Sequence, residues 1–329
     1  MKVKKVLTLL IFSCVVYCSC NNKVKILAPY KDITVVYGLL DQSDSIHYVR
    51  INKAFAGIGN AYSMAQVYDS IYYPAGYIKA VLRDSNPNNG TIVKIDSLDT
   101  TTTVTLSPGV FTYPKQLLYY TKVKLNPNDY YNLLITNIKT GKKISGSTAL
   151  LPDALLEQES TLALSFNNQL PTVFSWTTTP NARIYQMTIR FYYDEVNSAN
   201  VRTGKYLDWV FVPLTAPSIT GGAGMQYSCT GQGLCSLILN SISDEEGVTR
   251  YVDSAGIMFT SGSDDFNTYI QLSQPPLGIN QDVPSFSDLE NGVGLFTCRH
   301  TQTNYERVGN NVIDTLVRGA TYAGLNFQF

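Results

Sequence analysis

Histidine is nearly absent from this chain: across 329 residues only His47 and His300 occur. A zinc centre with three or four His or Cys ligands at close spacing is therefore not expected, and no other cofactor is expected either. A Ser-His-Asp or Cys-His centre needs one imidazole, so scarcity alone does not exclude it. No Gly-x-Ser-x-Gly elbow is present, however. Charge is sparse too, at 15% of residues, and 25 basic side chains balance 25 acidic ones. That balance gives no reason to expect nucleic acid or an anionic membrane surface as a partner. Helical periodicity is almost missing. Cysteine is rare, yet three of the six, Cys14, Cys18 and Cys20, fall within the first twenty residues.

Those three end an apolar run. Lys2, Lys4 and Lys5 precede Val6 to Tyr17, a stretch short of the ~20 apolar residues that cross a bilayer. A positive start and a short apolar middle are features of a secretory signal. An Ala-x-Ala-like site is lacking; Ser19-Cys20 and then Asn21-Asn22 stand there instead. A small residue before a cysteine, followed by a polar tether, resembles the lipobox of bacterial lipoproteins. By that resemblance Cys20 becomes the lipidated N-terminus, residues 1–19 are a cleaved signal peptide and 20–27 a tether. Tyr17 and Cys18 depart from the usual upstream residues. Two or more acyl chains, at ~0.8 kcal/mol per buried CH2, hold a protein on a membrane stably. An ordinary cleaved secretory protein is the alternative.

The remainder reads as all-β. Alternation of period 2 recurs, as in "YIKAVLRD" and in "YQMTIRFYY", where Met187, Ile189 and Phe191 are expected inward. Antiparallel sheets with one wet face give such a pattern. Further strands are expected in "DITVVYGLL", "HYVRINKAF", "YYNLLITNI", "YLDWVFVP", "SLILNSI", "NTYIQLS" and "GVGLFTCRH". Turns at "NPNNG", "NPND", "TGK" and "GGAG" punctuate them. The rhythm breaks around Pro152, which suggests two antiparallel β-sandwich-like domains, 28–150 and 160–329, joined by a linker at 151–159.

In "VFSWTTTPNARIYQMTIRFYY" a tryptophan strand, a Pro-Asn turn and a second strand resemble fibronectin type III and immunoglobulin-like sandwiches. The resemblance implies that Trp176 packs between two sheets. Four stretches together resemble a family of uncharacterised outer-membrane lipoproteins of Bacteroidota. They are "ITVVYGLLDQSDSIHYVRINKAF", "TGKKISGST", "FSW…NARIYQMTIRFYYDE" and "SFSDLENGVGLFTCRH". That resemblance implies β-sandwich architecture, a lipid anchor at the outer membrane and a role beside TonB-dependent transporters in nutrient uptake. It brings no catalytic residues with it.

Other groupings stay modest. Cys298 and His300 share a strand face, for which packing is the preferred explanation. Cys229 and Cys235 enclose "CTGQGLC"; a bridge there would stabilise by roughly 2–3 kcal/mol in the chain-entropy model, and buried reduced thiols are an equal alternative. "SDEEG" and "GSDDF" offer Glu245 and Asp264 as carboxylates, but adjacent acids on one loop point apart. "DQSDS" at 41–45 reads as a solvated turn rather than a calcium loop. "TGQGLC" and "GGAG" read as flexible turns that do not lead from a strand into a helix. The tyrosine doublets 72–73, 119–120, 130–131 and 192–193 each should turn one ring to solvent. The leading expectation is a membrane-anchored binding or accessory lipoprotein, contacting a TonB-dependent transporter and a glycan or peptide ligand. A carboxylate-dependent glycan hydrolase and a structural subunit of an outer-membrane assembly are the alternatives.

Overall fold

Alternation sorts the first strands onto two faces. In a computed structural model that describes residues 31–55, 60–157, 163–164, 171–274 and 286–329, β1 (Thr34–Leu40) buries Val36 and Leu40. Its neighbour β2 (His47–Lys53) buries Val49 and Ile51. Tyr37, Tyr48, Arg50 and Asn52 occupy the alternate positions and so share the opposite face. Cys20 and the expected leader lie outside the described residues.

Two short helices, α1 (Ala61–Ala65) and α2 (Tyr68–Ile71), follow, and then β3 (Ile78–Ser85), β4 (Ile92–Ser97), β5 (Asp99–Thr101) and β6 (Leu118–Thr121). Next come β7 (Tyr130–Asn137) and β8 (Lys143–Ala149). Strands β4-β3-β7-β8 make a four-stranded antiparallel sheet.

The second half contributes β9 (Leu155–Glu157), β10 (Ala163–Leu164), β11 (Thr172–Thr177), β12 (Ala182–Val196), β13 (Arg202–Val210) and β14 (Leu214–Thr215). After them run β15 (Gly224–Cys229), α3 (Gly231–Ser241), β16 (Thr249–Ser263), α4 (Asp264–Leu272) and β17 (Val293–Val308). Helix α5 (Asn310–Arg318) and β18 (Phe327–Gln328) end the described chain. The large sheet runs β13-β12-β16-β17-β1-β2-β6-β5, with β10, β14 and β18 attached, and β15-β11-β9 form a third sheet.

Strands account for 46% and helices for 16% of the described residues, so the chain has the all-β, sandwich-like fold that alternation implies. The sheets are not wholly antiparallel: β1 and β10 pair in parallel with β17, and β18 with β16. The β1–β17 ladder joins the segments expected as 28–150 and 160–329 in one sheet. The stretch expected as a linker supplies β9, which pairs with β11.

A Cβ on Gly146 of β8 would meet the Cβ of Phe296 on β17 at 2.9 Å, so glycine lets the two sheets approach there. Buried Val36, Ile51, Leu133, Ile135, Ile144 and Phe296 belong to one apolar core. Each such side chain contributes about 1.5–3 kcal/mol on burial. In the other half, Trp176 is fully buried and bridges sheets. It stacks on Tyr227 of β15 at 5.2 Å and meets Phe259 of β16 edge-on at 4.7 Å. Met187, Ile189 and Phe191 point inward beside it.

Two expected strands are helices. "SLILNSI" belongs to α3, where the Thr230 hydroxyl caps the first turn by accepting from Gly233 N–H at 3.3 Å. Leu234, Cys235 and Ile238 then form a buried helical stripe. "NTYIQLS" falls in and just past α4, capped by Ser263, whose Oγ accepts from Phe266 N–H at 3.1 Å. Hence "TGQGLC" is no free turn: it leads from β15 into α3. Among the described residues no helix is long and apolar enough to cross a membrane.

Candidate functional site

The outer face of β1 and β2 carries a hollow. Register places Tyr37 opposite both Arg50 of β2 and Leu295 of β17, and Tyr48 opposite Tyr120 of β6. Helix α4 lies over this face and contributes Phe266 and Tyr269, one turn apart on the same side. Between them opens a cleft of about 470 Å³ lined also by Asp44, Ile46, Gln116, Leu118 and Arg299. That volume falls in the range of small-ligand sites, roughly 300–1,000 Å³.

Its walls are aromatic and its polar groups are fixed. Tyr37 and Tyr269 meet edge-to-face with centroids 6.0 Å apart. Burial, and then the hydrogen bond with Tyr269, push the Tyr37 phenol up to about 12, so it stays neutral at ordinary pH. Arg50 Nη2 donates to the Oε1 of buried Gln116 at 2.8 Å, which orients the guanidinium. A second hollow, about 360 Å³, shares Tyr37 and Arg50 with the first and adds Asn52, Lys53, Tyr72 and Phe111. Burial raises the Tyr72 phenol, an effect that nearby Arg50 opposes.

At the far end of the cleft Arg299 Nε lies 3.6 Å from Asp41 Oδ2. Asp41 is almost fully buried; its Oδ1 accepts from Ser43 N–H at 3.0 Å and from Ser43 Oγ–H at 2.6 Å. His300 sits beneath, with Nδ1 3.4 Å from Asp41 Oδ1 and Nε2 2.5 Å from Asp153 Oδ1. Burial alone would depress this imidazole, but the two carboxylates outweigh it and its pKa is raised. Burial likewise works against the Asp41 carboxylate, and the bonds from His300 and Ser43 prevail, so its pKa is lowered.

No family model matches the sequence, and no curated protein matches it. Among solved structures, one that is similar over 70% of this chain is the C-terminal globular domain of an oligosaccharyltransferase from Pyrococcus abyssi. Identity is 9%, the TM-score is 0.21, and 51% of that chain is covered.

The residues singled out in sequence scatter around this site. Cys298 and His300 do share a face, but Cys298 Sγ donates to Ala149 O at 2.8 Å, and burial pushes its thiol up to about 12. Cys229 and Cys235 are separate buried thiols with no bridge between them. Asp264 lies 3.5 Å from Arg183 Nε, and Glu245 is exposed in the loop after α3; neither lines the hollows. Asp41 of "DQSDS" is buried rather than solvated. The doublet expectation fails at 72–73, where both rings are buried because they follow α2 rather than alternate along a strand. The cleft tyrosines Tyr37, Tyr48 and Tyr269 are not among the residues that the sequence singles out. Alternation across "ITVVYGLL" and "HYVRINK" carries the signal for the first two.

Proposed function

We propose that this protein is a lipid-anchored binding protein of the outer membrane, tethered through Cys20, which holds a ligand in the Tyr37–Arg50 cleft. The partner that the family resemblance implies is a TonB-dependent transporter, to which the ligand would pass. One observation carries the binding role: a preformed hollow of ligand size whose aromatic walls surround an oriented guanidinium. Aromatic surfaces with a few fixed polar groups are how non-covalent sites gain both contact area and orientation.

The test is a thermal-shift screen of the mature chain against neutral and acidic glycans and peptides, paired with a pull-down from intact membranes. A ligand that raises the midpoint for the parent but not for Tyr37→Ala supports the cleft. Silence across the panel, together with no co-purifying transporter, overturns the role. The tether is tested separately by intact mass of native material. An acylated chain beginning at Cys20 is expected, and a soluble unacylated chain starting elsewhere removes the anchor.

A further inference from the structure

We infer that the ligand of this cleft is an acidic oligosaccharide, a chain of hexuronate rings whose carboxylates meet Arg50 and its neighbouring cations while ring faces lie on tyrosine. The inference rests on the cleft being the binding site.

Charge points to an anion. The two hollows adjoin on the outer face of β1 and β2, and Tyr37 and Arg50 line both. Their lining presents Arg50, Lys53 and Arg299 against a single carboxylate, Asp44. Over the whole chain the charges balance, 25 to 25; with Arg299 answered by Asp41, the hollows keep Arg50 and Lys53 against Asp44. Arg190, Arg250 and Arg299 each have a carboxylate within 4.0 Å; among the described residues Arg50 has none. A half-buried guanidinium without a counter-ion gains most from an anion that enters the same hollow.

Shape narrows the anion. Gln116 fixes one Nη of Arg50 and leaves the remaining donors of the fork for the hollows. A planar carboxylate matches two parallel donors of such a fork. Tyr37, Tyr48 and Tyr269 offer ring faces and edges, against which the C–H faces of a pyranose pack well. A run of acidic peptide residues would answer the cations but lacks the contiguous C–H face that each pyranose presents to a tyrosine ring. Carboxylates repeated along a sugar chain answer both, because Arg50 lines both hollows while Arg299 and Lys53 line one each.

The test is titration calorimetry of the mature chain with three probes: an oligogalacturonate, its carboxyl-reduced neutral form, and an oligoglutamate peptide. The oligogalacturonate is expected to bind, with an affinity that falls as salt rises. Carboxyl reduction, or Arg50→Gln in the protein, should each weaken binding by about tenfold or more. The thermal midpoint of Arg50→Gln without ligand should stay near that of the parent. If the neutral form binds as tightly and loses affinity in Tyr37→Ala, the cleft stands as a site and the acid requirement falls. If the peptide binds more tightly through Arg50, the sugar assignment falls. If none of the three binds, the inference falls, and the broader screen decides the cleft independently.

Discussion

Nε2 of His300 lies 2.5 Å from the Asp153 carboxylate, a contact that spans 147 residues of chain. It ties β17 to the segment leaving the four-stranded sheet. Gln302, two residues along β17, grips the same segment by accepting from Ala154 N–H at 2.9 Å and donating to Ala154 O at 3.1 Å. On its other side His300 meets Asp41, which in turn faces Arg299 at the cleft. One imidazole thus joins the turn after β1, the segment after β8, and β17.

This clasp should weaken as pH rises. The folded pKa of His300 is raised above its ordinary value, so its contribution is complete below about 6.5 and is lost as pH climbs through the folded value. Asp41 has a lowered pKa, so its part survives until pH falls below the ordinary carboxylate range. Asp153 is largely exposed, and solvent screens its share. Unfolding midpoints of the parent and His300→Gln should differ most around pH 5–6 and converge towards pH 9. Asp84 and Asp288, both pushed up to about 6 mainly by burial, titrate in both proteins and cancel from the difference. A gap that is flat or widens with pH would contradict the clasp.

Gly294 governs the parallel ladder between β1 and β17. Its φ is +124°, and a Cβ there would run into the carbonyl oxygen of its ladder partner Val36. Gly294→Ala therefore combines a forbidden backbone region with a backbone clash, and is expected to cost roughly 2–4 kcal/mol or prevent folding. Gly204→Ala on β13 is the control, because its nearest neighbour, Asp194 Oδ1, leaves 3.6 Å. Denaturant midpoints should fall sharply for the first and stay within ~0.5 kcal/mol for the second. Equal midpoints for Gly294→Ala and the parent would remove glycine's role in that pairing.

What alternation could and could not show follows from distance along the chain. Strands such as β3, β7 and β12 were legible because one face is dry and the other wet over seven or more residues. Helices α3 and α4 resemble strands in sequence because Ile and Leu stand close together in "SLILNSI" and "NTYIQLS". Thr230 and Ser263, the caps that settle the matter, stood in plain view three residues before Gly233 and Phe266. The parallel pairing of β1 with β17 left no local trace, since its partners are more than 250 residues apart. The same holds for the cleft. Tyr37 and Arg50 could be placed on outer faces, but Tyr269 and Arg299 reach them only through tertiary folding.

Trp176 anchors the aromatic part of the core. It contacts Tyr185, Tyr227 and Phe259, and among the described residues its Nε1 has no hydrogen-bond partner. Trp176→Ala is expected to cost about 3–5 kcal/mol, from lost transfer energy and the cavity left behind. Trp176→Phe keeps an aromatic against those rings and sacrifices no hydrogen bond, so it should cost distinctly less. Chemical denaturation of the pair checks the order. Equal losses would mean that the indole edge, rather than ring packing, holds the sheets.

The three cysteines beyond the leader should be inert until the chain unfolds. Burial pushes Cys229 and Cys298 up to about 12 and Cys235 up to about 11, so at pH 8 the thiolate fraction is on the order of one in a thousand or less. Native protein treated with iodoacetamide at pH 8 should show no alkylation at 229, 235 or 298 by peptide mapping. In denaturant without reductant, all three should alkylate. The second measurement distinguishes protection by burial from protection by a bond. If Cys229 and Cys235 resist alkylation until a reductant is added, they are bridged in the protein, and the start of α3 is stapled to β15 covalently rather than by the Thr230 cap and the Leu234–Ile238 stripe alone.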